Sequence, residues 1–80
     1  MPPAKEVQDE ILAVMRDLHP HTQTHSEMAT QLEALADPCQ VALNMDAMAK
    51  DGRLELIREG WDFNSYTKRY RLAGRVFTAS

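Results

Sequence analysis

Residues 37–56 read DPCQVALNMDAMAKDGRLEL, and the periodicity of the chain changes from helix to strand inside this run. Asp37 suits a helix cap, and Pro38 suits the first helical position, where a missing N–H costs nothing. Val41, Met45 and Met48 recur at spacings of four and three, which is one face of a helix. Gly52 accepts the left-handed conformation that ends helices. Beyond it Leu54 and Leu56 alternate with Arg53, Glu55 and Ile57, the period of a strand. The run predicts a helix over about 38–51 and then the first strand of a hairpin.

Upstream, a second helix is expected over about 25–35. Thr24 and Glu27 have capping-box spacing, hydroxyl at the cap and carboxylate three residues on. Met28, Ala29, Leu32 and Leu35 form its inward face. A first helix is expected over about 5–19, with Val7, Ile11, Val14, Met15 and Leu18 on one stripe. It should stop at His19, because Pro20 disfavours helical geometry in the residue before it. Residues 20–24 are then a connector.

Downstream, residues 53–72 read as a hairpin. Leu54, Leu56, Tyr70 and Leu72 are the natural core face, and the returning strand brings Lys68, Arg69 and Arg71. Residues 58–65, REGWDFNS, look too long for a two-residue turn and should project as a loop with Trp61 and Phe63 near its tip. A two-stranded hairpin is marginal alone, so it must lean on the helices. The fold class is therefore mainly α with a small β-hairpin, in a single domain with a tail over 73–80.

A chain of 80 residues buries about 60–65% of its unfolded surface, which favours a binding module over an enzyme with a deep cleft. Ser26, Ser65 and Ser80 have no nucleophile context and no glycine-rich phosphate loop occurs, so neither catalysis nor a cofactor is expected. No apolar run approaches the roughly 20 residues that span a bilayer, so no membrane partner is expected. The start has no apolar stretch of a secretory leader, and the chain has one cysteine; the cytoplasm is the expected compartment. Net charge is −3, but it is unevenly distributed. Residues 1–50 hold three Lys/Arg against eight Asp/Glu, while residues 51–80 hold six against four. Positive charge gathers in the hairpin and tail, and a local basic face can bind a polyanion on an acidic protein.

The order helix, connector, helix, turn, helix, hairpin resembles the winged helix-turn-helix family. Thr24-x-x-Glu27-Met28-Ala29-x-x-Leu32 is similar to the start of that family's second helix. Val41-x-x-x-Met45-x-x-Met48-x-x-x-Gly52-x-Leu54 is similar to its third helix entering the wing, and Tyr70-x-Leu72 to the wing's return. The resemblance covers residues 5–72. It implies a DNA-binding protein, with helix 3 in the major groove and the wing on phosphates, acting in transcription regulation. Carried over, the face of helix 3 opposite the apolar stripe holds Gln40, Leu43, Asn44, Ala47 and Lys50. Gln40 and Asn44 would read adenine through bidentate amide contacts. Arg58, Asn64, Ser65, Lys68 and Arg69 are the expected wing contacts. Helix 1 and the tail are candidate surfaces for a homodimer, since the family often binds DNA in pairs.

Other features point elsewhere. Helix 3 has no arginine, Asp46 and Asp51 would border the phosphates, and Leu43 and Ala47 are apolar on the outward face. These suit a protein-interaction module, an adaptor or inhibitor. Trp61 and Phe63 would stack on a base, fill a partner's pocket, or pack on the domain's own underside. His19, His21 and His25, with Cys39, are weak candidates for a metal site, because their spacing matches no standard zinc motif.

Overall fold

The computed structural model describes residues 3–74. The elements are α1 (Ala4–Leu18), β1 (Gln23–Thr24), α2 (His25–Gln31), α3 (Pro38–Asp51), β2 (Leu54–Asp62) and β3 (Ser65–Leu72). The three strands form one antiparallel sheet in the order β1-β3-β2. This is an α+β architecture with the topology of a three-helix winged helix-turn-helix. The tail from Arg75 onward, one of the two candidate dimer surfaces, lies outside the described residues. Among those residues no helix is long and apolar enough to cross a membrane.

Local chemistry sets most element ends. His19 has left helical geometry (φ −51°, ψ 132°), as the following proline requires. At α2 the Glu27 N–H donates to Thr24 Oγ1 at 3.1 Å, and the Thr24 N–H donates to Glu27 Oε1 at 2.9 Å. Asp37 caps α3 by accepting from the Gln40 N–H at 2.8 Å. Gly52 ends α3 in the left-handed region with φ 90°, where a side chain would be strained. The Arg53 N–H then closes the helix on the Met48 carbonyl at 2.9 Å.

The core is one cluster. Val7, Ile11 and Met15 of α1 meet Met28 and Ala29 of α2, Val41, Met45 and Met48 of α3, and Leu54, Tyr70 and Leu72 of the hairpin. Side chains of this size each contribute about 1.5–3 kcal/mol when fully buried. The methionines suit a small, irregular interior because their unbranched chains fill uneven gaps.

Four sequence expectations need correction. First, α2 ends at Gln31 rather than near residue 35. Tight turns follow, with Leu35 and Ala36 N–H both donating to the Leu32 carbonyl. Leu32 and Ala36 remain buried, so the apolar spacing marked burial there and not helical hydrogen bonding. Second, residues 58–65 are not a loop: the strands continue to a two-residue turn at Phe63 and Asn64. An edge-to-face pair of Trp61 and Tyr66, centroids 5.6 Å apart, bridges the strands near that turn. Third, the connector contains β1, which pairs Gln23 with Tyr70 and Thr24 with Arg69 and makes β3 the central strand. Fourth, Leu56 is 42% exposed rather than in the core. It shares the face of Tyr70 but lies on the edge strand, just before a bulge at Ile57.

Candidate nucleic-acid interface

Helix α3 and the hairpin supply the candidate contacts. At 100° per residue, Leu43, Ala47 and Lys50 fall opposite Val41, Met45 and Met48. All three are exposed, Leu43 at 65%. Gln40 is half-buried, and its carbonyl accepts from Asn44 Nδ2 at 2.8 Å.

Asn44 is not on the outward face. It is buried, and its Oδ1 accepts from Gln8 Nε2 of α1 at 2.8 Å. Gln8 Oε1 in turn accepts from Arg53 Nη2 at 2.9 Å, and Arg53 is forked onto the Asp51 carboxylate, Nη2 to Oδ2 at 2.6 Å. The bond with Asp51 raises the Arg53 pKa, against a smaller opposing effect of burial. This polar chain ties α1, α3 and the start of β2 together. Asn44 is therefore a structural residue, and the expected adenine contact is withdrawn for it. The signal was absent from the sequence because its partner lies 36 positions away.

On the other flank of α3, Asp46 joins three elements. Its Oδ1 accepts from the Tyr70 hydroxyl at 2.6 Å and lies 3.0 Å from His25 Nε2. The His25 and Tyr70 rings stack with centroids 5.3 Å apart. Burial pushes the Asp46 pKa up. The Tyr70 hydrogen bond, His25 and the charge of Lys68 outweigh that and hold it below the usual carboxylate value. Burial, then the bond with Asp46, raises the Tyr70 pKa well above that of a free phenol. His25 thus belongs to this cluster. Cys39 is exposed, and no three metal-ligating side chains converge among the described residues.

Cross-strand register sorts the hairpin side chains onto two faces, because directly paired residues share a face. The inner face, that of Tyr70 and Leu72, continues outward through Glu59 opposite Lys68 and Trp61 opposite Tyr66. A hydrogen bond with Glu59 raises the Tyr66 pKa. The outer face carries Glu55 opposite Arg71, Arg58 opposite Arg69, and Gly60 opposite Thr67. Arg71 and Glu55 form an ion pair at 3.2 Å. Arg69 Nη1 lies 3.2 Å from Glu27 Oε1 and 3.4 Å from Thr22 Oγ1. Lys68 and Arg69, adjacent in sequence, therefore point to opposite sides. Asn64 and Ser65 are exposed at the turn, and so are Trp61 (74%) and Phe63 (97%), neither of which packs under the domain.

No protein-family model matches the chain, and no curated protein or solved structure matches it.

Proposed function

We propose that the chain is a small cytoplasmic winged-helix protein that binds double-stranded DNA through its hairpin, most simply as a transcriptional regulator. The observation that carries this is the layout of the ribbon. Lys68 lies on one face, Arg58 and Arg69 lie on the other, and Trp61, Phe63 and Asn64 are exposed towards the tip. A groove in duplex DNA has a phosphate chain along each side, so cations on both faces of an inserted ribbon meet both chains. Exposed aromatics near the tip can wedge against base steps. Helix α3 contributes Lys50 to a phosphate and Leu43 and Ala47 to thymine methyl groups. With Asn44 buried, base-specific readout is weak and the electrostatic part dominates.

The test is duplex affinity against salt. Four cations (Lys50, Arg58, Lys68 and Arg69) give a log–log slope of about −3 to −4, or about 100-fold weaker binding from roughly 50 to 200 mM salt. No duplex binding at micromolar protein and low salt would end this reading.

A second reading rests on its own observation. Leu43, Leu56, Ile57, Trp61, Phe63 and Tyr66 are all large, apolar and at least 40% exposed, and five of the six lie on the hairpin. Trp61 and Tyr66 touch, and a ribbon with this much exposed apolar surface is of the kind that binds protein partners. A protein partner would be held with little salt dependence and released by Trp61→Ala.

A further inference from the structure

The hairpin has three charged cross-strand pairs in register. Glu55 faces Arg71 and Glu59 faces Lys68, both complementary; Arg58 faces Arg69. Like charges placed directly opposite each other destabilise a sheet, so the third pair is the anomaly. Its neutralisation is incomplete. Glu27 pairs with Arg69 at 3.2 Å, which leaves the charge of Arg58 as the uncompensated one. Arg58 has no carboxylate partner among the described residues. Glu59 is in register with Lys68 on the inner face and forms no ion pair with Arg58. Two guanidiniums in register are thus paired with one carboxylate, Glu27, which contacts Arg69.

The ground beside them is open. The next pair along the outer face is Gly60 opposite Thr67. A Cβ placed on Gly60 would meet nothing within 4 Å. Arg58, Glu59, Gly60, Trp61, Thr67 and Arg69 line a cleft of about 370 Å³, two cations against one acid.

We infer that this cleft is an oxyanion seat that takes one phosphate group, held by the Arg58 and Arg69 guanidiniums and the Thr67 hydroxyl. Guanidinium forks match phosphate oxygens in pairs, and a phosphate anion between the two arginines offsets their mutual repulsion. The phosphate can belong to a duplex backbone or to a free phosphate or phosphate ester. The seat itself stands on the geometry of the hairpin; only its filling by a backbone phosphate rests on the duplex reading.

The experiment is a titration of the full chain with inorganic phosphate at constant ionic strength, followed by amide and arginine side-chain NMR. Saturable shifts at Arg58, Gly60, Thr67 and Arg69 are expected. Loss of a charge-assisted contact in Arg58→Ala should weaken binding about tenfold or more, with Thr67→Val intermediate. Preserved spectral dispersion shows that both variants fold. Absence of saturable shifts, or equal shifts in Arg58→Ala, overturns the seat even if duplex binding is intact. Phosphate binding without any duplex binding keeps the seat and overturns the DNA reading. Where both bind, displacement of phosphate by duplex assigns the seat to the backbone, and simultaneous occupancy assigns it to a free phosphate; either supports the seat.

Discussion

Two arginines of β2 and its approach show opposite uses of the same side chain. Arg53 is half-buried and fully engaged: it forks onto Asp51, and Gln8 links it to buried Asn44. Arg58, five residues later, faces another arginine across the strand pair and has no acid partner among the described residues. The first arrangement holds helices and sheet together. The second leaves charge unsatisfied on a projecting ribbon, which is what a ligand site for an anion needs. The packed body, which includes the inner ends of the two long strands, and the exposed outer part of the hairpin should therefore respond differently to substitution: changes in the first should mainly alter stability, and changes in the second should mainly alter binding.

The largest expected effect is in the body. Met45→Ala removes a fully buried side chain and should cost about 2–5 kcal/mol. A domain of this size has a total stability of only about 4–12 kcal/mol, so part of the population unfolds. Urea denaturation measures this directly. Next comes Asn44→Ala, which leaves Gln8 and the Gln40 carbonyl short of a partner and should cost about 1–3 kcal/mol. The same variant should bind duplex with unchanged salt dependence once the unfolded fraction is accounted for. If it instead relaxes a preference at one base position while remaining fully stable, Asn44 is a reader and the division between body and hairpin fails.

The Asp46 cluster gives a smaller effect with a defined sign at each end of the pH scale. The folded-state pKa of Asp46 is lowered, so its contribution is present above the unfolded value of about 3.9 and is lost as pH falls through the folded value. Its side chain is 47% exposed, and screening keeps this below about 1 kcal/mol. Tyr70 is shifted the other way. Its contribution is present below the unfolded value of about 10 and fades as pH rises beyond it. Stability measured against pH should lose the acid-side contribution in Asp46→Asn and the alkaline-side contribution in Tyr70→Phe.

The smallest effects on stability belong to the exposed outer part of the hairpin. Phe63 sits in the left-handed region with φ 57° and is almost fully exposed. Phe63→Gly removes backbone strain and should stabilise by up to about 1 kcal/mol in thermal unfolding, while weakening duplex binding. Arg58→Ala should leave stability within about 0.5 kcal/mol of wild type, or raise it slightly by relieving the repulsion with Arg69.

The same division governs what could be read from the sequence. Helix ends were legible where a neighbouring residue determines them: the Thr24 and Glu27 box, the Asp37 cap, and the Gly52 stop. The core stripes were legible because burial imposes helical spacing on Val41, Met45 and Met48. Long-range pairing was not. β1 exists because Gln23 meets Tyr70, and nothing near Gln23 announces that. The outer half of the hairpin looked like a loop because glycine and polar residues hide the alternation that backbone pairing sustains. Opposite orientations of Lys68 and Arg69 follow from strand period, but only once residues 65–72 are known to be paired. Among the candidate contacts, Asn44 was misplaced because it lies at the border of the apolar stripe, where only a partner from α1 decides which way it faces.

The most direct measurement is the salt dependence of duplex affinity for wild type and for the double variant Arg58→Ala, Lys68→Ala, which removes one cation from each face of the ribbon. The expected result is weaker binding to every sequence and a log–log slope shallower by about 2. An identical slope in the two proteins would contradict the claim that the hairpin, by presenting charge on both faces, is the element that holds DNA.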